Sequence, residues 1–399
     1  MIVYFGGTAY DGVAGTDRQL ADRLSAFTPV LYVDPPVSVL TPLRQPQLAG
    51  SLRGSTLRKV TPRLWRLCPR VLPGAYRSGM HHLTAALVRR SARQAARRLA
   101  ATLGDTVSAV VVATHIETLG AVPGARTVYY ATDDLVAGAG LIRLPRRRLA
   151  AVRDRMIARA DEVAVVSPPL RDQFRQRGCE AVLIPNGCAP EAYTGIDDAP
   201  WPDDVPRFDR PAVGFAGHIN ARIDLGLLEA VAGAGHPLLL VGPHDAAYEP
   251  ERFRALTDRP NVCWTGRKSF AELPAYLGTI RVGLTPYRLD DFNRASFPIK
   301  TLDYLAAGRG AVSTDLPATR WLRAFEDGED LIRSASTVRE FVHAVDLELA
   351  AEPTPELAGR RRAFAGRHDW THRARAFARL LNIDPSAEQH TDRQEEPAP

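Results

Sequence analysis

Between Phe292 and Gly308 the chain reads FNRASFPIKTLDYLAAG, and this stretch holds the residues best suited to chemistry: Asn293, Ser296, Pro298, Lys300 and Asp303. A polar loop gives way here to a helix, expected at 299–307, with Leu302, Leu305 and Ala306 on its apolar face. Strand-like runs at 281–285 and 310–314 flank it. The first-turn amides of a helix lack partners, and its dipole favours negative charge there. Lys300 adds a full positive charge, and Asp303, one turn on, can accept hydrogen bonds from hydroxyls. An anion site beside a hydroxyl acceptor suits a nucleotide sugar.

Other candidates stand at the ends of expected strands. Gly217-His218-Ile219-Asn220 follows the run at 212–216 and precedes a helix capped near Asp224. It reads as a diphosphate loop or as an ordinary strand-to-helix turn; glycine allows close backbone approach in either case. Asp133 and Asp134 lie just beyond the run at 127–130. They could orient acceptor hydroxyls or sense a donor sugar, or they could cap the next segment, since Asp is a good N-cap. Gly6-Gly7 follows the first strand but lacks the Gly-x-Gly-x-x-Gly pattern of a dinucleotide site. Gly7, Asp11 and Arg18 instead become acceptor-side candidates. His115, with Glu117 after the run at 109–113, is either an acceptor-site residue or a packing one.

The elements that must position these residues alternate strand and helix. Strand-like runs fall at 2–5, 29–33, 109–113, 127–130, 162–166 and 181–184, with helical patterns at 15–26, 80–103, 146–160 and 168–177. Continuous β-branched runs between helices predict a parallel sheet covered on both faces. Residues 35–75 interrupt with prolines and carry an expected hairpin of Arg58–Val60 with Trp65–Cys68. A second set follows at 212–216, 237–241, 261–264, 281–285, 310–314 and 330–332, with helices at 224–235, 250–258, 270–278, 317–324 and 336–350. After Pro355, residues 356–381 read as helix. The 399 residues exceed what one core usually supports. The expected division is an N-terminal domain at 1–190, a proline-rich hinge at 191–211, a second domain at 212–365, a helix crossing back at 366–384 and a disordered tail at 385–399. This gives an α/β chain of two doubly wound, Rossmann-like domains facing an interdomain cleft.

Charge is divided unevenly. Residues 1–185 hold 26 Lys+Arg and 13 Asp+Glu, a balance of +13, so the overall +6 leaves −7 for the remainder. The helical pattern at 80–103 carries Arg89, Arg90, Arg93, Arg97 and Arg98, and with Arg143 and Arg146–Arg148 reads as a solvated face or as a dock on an anionic membrane. No recognised nucleic-acid module accompanies the charge, so nucleic acid is not expected as a partner. No window approaches ~18 apolar residues, and the N-terminus lacks the signal-peptide pattern. The four cysteines have no paired metal-ligand spacing. A cytoplasmic protein, with a membrane-associated state on the cytoplasmic face, is the expectation.

The ordered set of Gly6-Gly7, Ala160–Ser167, Ile184-Pro-Asn-Gly187, Val213–His218, Val262–Gly266 and Pro298–Gly308 resembles the GT-B-fold glycosyltransferases, close to family 4 and its teichuronic-acid-type bacterial members. The resemblance implies a hexosyltransferase, dependent on a nucleoside-diphosphate sugar (UDP or GDP) and acting with retention in cell-envelope glycan, glycolipid or secondary-metabolite biosynthesis. It places the donor on the C-terminal domain and the acceptor, a glycan, lipid-linked or small-molecule hydroxyl, on the N-terminal one. Asp303 matches the family's acid for the ribose hydroxyls, where Glu is usual, and Ala295 stands where its partner carboxylate would fall. Gly217 matches the glycine that admits the diphosphate. Arg222, Lys268 and Lys300 are the candidates to neutralise it. Asp133, Asp134, Lys300 and Arg222 form the catalytic set; Gly217, His218, Asn220, Arg222, Lys268, Asn293, Ser296, Pro298, Lys300 and Asp303 bind donor. Adjacent carboxylates are not the Asp-x-Asp of a metal-dependent GT-A enzyme, so neither metal nor cofactor is expected. A non-catalytic nucleotide-binding GT-B protein and a sugar-nucleotide epimerase on the same fold are the alternatives; turnover with an acceptor, or product without one, separates them.

Overall fold

A computed structural model describes residues 1–12, 14–40, 56–75 and 79–386. The expected tail beyond 386 and part of the excursion at 35–75 lie outside these residues. The chain divides into two compact units: one of Met1–Ala131, Arg148–Ala164 and the chain from Arg373, the other of Thr132–Arg147 and Val165–His372.

In the first, the strands are β1 (Ile2–Phe5), β2 (Val30–Val33), β3 (Leu57–Thr61), β4 (Leu64–Leu67), β5 (Ala109–Val112), β6 (Arg126–Ala131) and β7 (Glu162–Val165). Their order is β3-β4-β2-β1-β5-β6-β7. β1, β2 and β5 are buried along their whole length, as continuous β-branched runs require. The expected hairpin forms, with β3 antiparallel to β4. From β1 the chain winds outward through β2 to β4, then returns to β5 on the other flank, so the loops after β1 and β5 border the switch point.

A two-residue strand β8 (Val182–Leu183) follows in sequence, then the second sheet: β9 (Ala212–Ala216), β10 (Leu238–Val241), β11 (Val262–Trp264), β12 (Ile280–Thr285), β13 (Gly310–Thr314) and β14 (Ile332–Ala335). Its order is β11-β10-β9-β12-β13-β14, and every pairing within it is parallel. Here the switch lies between β9 and β12. Val213, Phe215, Leu238, Leu240, Val282, Leu284 and Val312 build the core with Leu228 and Phe341 from flanking helices.

Several expectations shift. Residues 132–147 and 165–190, read from sequence as N-terminal domain, cluster with the second unit. Within that unit Ser167 Oγ donates to the Ala295 carbonyl at 2.5 Å and Asn186 Nδ2 to the Phe297 carbonyl at 2.8 Å. The strand expected at 330–332 is displaced: a helical turn occupies Gly328–Leu331 and the strand starts at Ile332. The helix expected over 356–381 is two helices, Pro355–Gly366 and Trp370–Leu380. The break is held by backbone pairing, with Cys188 N donating to the His368 carbonyl at 3.2 Å and Trp370 N to the Cys188 carbonyl at 3.0 Å.

Candidate active site

The loops on either side of the second switch point are stitched together before any ligand is considered. Asp224 N donates to the Pro286 carbonyl at 2.8 Å and Arg288 N to the Arg222 carbonyl at 2.9 Å. Asn293, fully buried, clamps them: its Nδ2 donates to the carbonyls of Arg222 and Arg288, both at 3.0 Å, and its Oδ1 accepts from Arg222 Nε at 3.1 Å. The sequence reading makes Asn293 a donor-binding residue. Its amide is occupied inside the protein, where it holds Arg222. The Arg222 guanidinium lies over the rings of Tyr287 and Phe292, at 5.1 and 4.9 Å. Asn220 turns its side chain inward, Oδ1 accepting from Arg222 N at 3.1 Å, so it shapes the loop.

Gly217 and Lys300 come together at the end of β9. A Cβ at 217 would stand 2.1 Å from Lys300 Cε and 2.6 Å from its Nζ, so the lysine occupies the space glycine leaves. The backbone is as crowded: Gly217 N donates to the Val241 carbonyl at 2.7 Å, and a Cβ at Gly242 would meet the Gly217 oxygen at 2.0 Å. Tyr304, buried, pins β9 to β12, accepting from Ala216 N at 3.1 Å and donating to the Leu284 carbonyl at 3.0 Å. Gly283 is glycine because a Cβ there would enter the Tyr304 ring. Nothing in the sequence marked Tyr304 out except its place on the helix Lys300–Ala306.

Asp303 follows one turn after Lys300. Burial pushes its carboxyl up to about 7, against the pull of Lys300. A carboxyl so poised ionises near neutrality and gains from any donor that reaches it. His218 is exposed, and desolvation lowers its pKa; Asp245 opposes the shift while Arg267, His244 and Lys300 add to it. Asp245 and Arg267 are thus neighbours the sequence did not single out. Pro298 is buried just before the helix.

Asp133 meets this region through Ser296, whose Oγ donates to its Oδ1 at 3.1 Å. Burial raises the Asp133 carboxyl, opposed first by Arg222. Asp134 takes the structural alternative: its Oδ1 accepts from Val136 N and Ala137 N at 3.1 and 3.0 Å, capping the turn, which leaves it a poor catalytic candidate. Lys268 is bound to Asp204 at 2.5 Å and lies over Tyr276, so its charge is already paired.

In the first unit, Gly7 N donates to Asp17 Oδ2 at 2.8 Å and Thr8 N does so at 3.2 Å. Asp17 is 5% exposed, and burial lifts it to about 6 despite these bonds. It fixes the Gly6-Gly7 loop, yet sequence reasoning passed over it for its neighbour Arg18. Arg18 reaches Asp22 at 3.6 Å and the Tyr10 ring at 4.9 Å. Asp11, expected to meet the acceptor, pairs with Arg58 at 2.8 Å and with Arg66, and so holds the β3–β4 hairpin. His115 sits after β5 among His81, His82, Glu117, Arg148 and Arg155. Burial, aided by Arg148, lowers its pKa to about 4, so the ring is neutral at pH 7. On the helix Met80–Leu103, Arg89 and Arg93 donate to the carbonyls of Glu117 and Ala121 at 3.1 and 2.7 Å, while Arg90, Arg97 and Arg98 are exposed.

Among the described residues, no group of three or more His, Cys, Asp or Glu could hold a metal, and no helix is long and apolar enough to cross a membrane.

Residues 210–350 match the family model described as glycosyl transferases group 1. A Bacillus subtilis (strain 168) protein named as a teichuronic acid biosynthesis glycosyltransferase, TuaH, is 28% identical over 244 residues, which span 58% of this chain and 59% of that relative. Among solved structures, sucrose-phosphate synthase from Thermosynechococcus elongatus superposes with a TM-score of 0.71 at 16% identity, over 96% of this chain and 98% of that one. Anabaena HepE, solved with UDP and glucose, gives 0.64 at 14% identity over 96% and 99%. The chain therefore has the GT-B fold, and the stretch matched by the glycosyl transferases group 1 model lies within its second unit.

Proposed function

We propose that the protein is a glycosyltransferase that moves a sugar from a nucleoside-diphosphate donor to an acceptor hydroxyl. One observation carries this reading: inside the family-matched segment, Lys300 fills the space beside Gly217 with Asp303 one turn away, at the switch point between β9 and β12. Ligands of open α/β sheets bind outside the carboxyl ends of strands at such a point.

On this reading the diphosphate lies against Gly217 and the Lys300 ammonium, which stabilises the charge that develops as the sugar–phosphate bond breaks. Arg222, held by Asn293 and stacked on aromatic rings, supplies the second cation. Asp303 accepts from ribose hydroxyls. Asp133, fixed by Ser296, faces the reacting sugar or its acceptor. Acceptor recognition falls to the first unit, around the Gly7 loop, Arg18 and His115. Retention of configuration, a UDP or GDP donor and a cell-envelope glycan or lipid-linked product are the finer parts of the proposal; the likeness to HepE, solved with UDP and glucose, supports a UDP donor, and the likeness to TuaH supports a cell-envelope glycan. The exposed arginines Arg90, Arg97 and Arg98 suit docking on an anionic membrane surface.

A thermal-shift panel of nucleoside diphosphates tests the reading, because a ligand that binds only the folded state raises its stability. One diphosphate should stabilise clearly above the rest and identify the donor class. No shift from any of them at millimolar concentration would sink the proposal.

A further inference from the structure

Asn293 is 0% exposed, in the middle of the short helix Asp291–Ala295. Its backbone is fixed first, Asn293 N donating to Asp290 Oδ1 at 2.8 Å. Its side chain then holds Arg222 twice: Nδ2 donates to the Arg222 carbonyl at 3.0 Å, and Oδ1 accepts from Arg222 Nε at 3.1 Å. Phe292, the residue before it, supplies one of the rings under the same guanidinium, at 4.9 Å. We infer that Asn293 is a positioning residue for the donor diphosphate: by holding Nε it turns the two terminal nitrogens of Arg222 toward the phosphates, and as a neutral amide it leaves their charge intact.

This rests on the reading of Arg222 as a diphosphate contact. A guanidinium presents its donors as a planar fork, so fixing Nε leaves the terminal nitrogens in one plane, the geometry that matches a phosphate bidentately. The type of group at 293 matters as much as its place. A carboxylate would hold the same nitrogen and also neutralise it, as Asp204 does to Lys268. Among the described residues, Arg222 itself forms no ion pair. Nor do the two loops depend on the Asn293 side chain alone. Asp224 N still donates to the Pro286 carbonyl at 2.8 Å and Arg288 N to the Arg222 carbonyl at 2.9 Å. What the amide adds beyond that stitching is the orientation of a charged fork.

The test is calorimetric titration of the full chain with UDP and with GDP at several salt concentrations, alongside thermal unfolding. It uses wild type, Asn293→Ala, Asn293→Asp, Arg222→Ala and the double variant Asn293→Ala/Arg222→Ala. Asn293→Ala should weaken binding of the preferred diphosphate about 10-fold, the scale for one hydrogen bond to a charged group. In the Arg222→Ala background the same substitution should add nothing. Asn293→Asp keeps the shape and the bond to Nε, yet it should also weaken binding about 10-fold. Its affinity should depend less on salt than that of wild type, because the arginine charge is now paired; loss of packing alone would not change that dependence. Wild-type affinity in folded Asn293→Ala would overturn the inference, as would a further 10-fold loss in the Arg222→Ala background. Should Asn293→Ala fail to fold, Asn293→Asp decides: wild-type affinity and salt dependence there overturn the inference too. Wild-type affinity in Arg222→Ala would remove it while leaving the nucleotide reading intact. Failure of wild type to bind either diphosphate would overturn the nucleotide reading and this inference with it.

Discussion

Asp303→Asn should make the empty protein more stable above neutral pH while weakening its grip on nucleotide. The carboxyl has a folded pKa of about 7 against an ordinary value of 3.8. Between those values the folded state binds more protons than the unfolded state, so stability falls as pH rises. The favourable contribution is fully present below pH 3.8 and gone above about pH 7. The shift of 7 − 3.8 = 3.2 units sets a ceiling of ~4 kcal/mol at 1.36 kcal/mol per unit. Asp303 is only partly buried by surface area, so solvent screening reduces this to about 2 kcal/mol. Asparagine keeps the shape without the charge. Urea unfolding of both proteins at pH 4, 6 and 8 gives the difference directly, since other titrating groups cancel. The variant's advantage should grow by about 2 kcal/mol from pH 4 to pH 8, while diphosphate affinity at pH 8 drops about 10- to 100-fold. An advantage that does not change with pH, or one that shrinks as pH rises, would refute the assignment of a raised carboxyl at this site.

Lys300→Ala should lower transfer turnover by roughly 10²-fold or more, the scale for losing one charge-stabilising donor; steady-state assay with the donor found by thermal shift checks it, and near-normal turnover removes Lys300 from the site. Gly217→Ala should displace the Lys300 side chain, weakening diphosphate binding about 10-fold by calorimetry at a stability cost of about 1–3 kcal/mol. His115 is neutral at pH 7, with a pKa of about 4. The pH profile of turnover should therefore show no inflection near 6.5 that His115→Gln abolishes.

Much of this protein is determined locally. Runs such as Ile2–Phe5 and Ala109–Val112 have the β-branched, apolar make-up of strands buried on both faces, and they are strands. The helix from Lys300 follows from its own periodicity and ends before Gly308, whose φ of 75° suits glycine. Gly217, Lys300 and Asp303 stood out as candidates by residue type and place, and folding sets Lys300 against Gly217 with Asp303 one turn on. The short helices Ala139–Ile142 and Asp291–Ala295 were not, being too brief for periodicity to show.

Tertiary structure decided which charges are already used. Asp11 and Lys268 look like ligand contacts in sequence, yet folding pairs one with Arg58 and Arg66 and the other with Asp204. Asn293 becomes a clamp because β12 inserts beside β9, bringing its loop against Arg222, 71 residues away in sequence. Periodicity and turn chemistry act over a few residues, so sequence alone reveals the elements. Pairing between distant loops depends on strand order, which the folded chain settles when it buries its sheets.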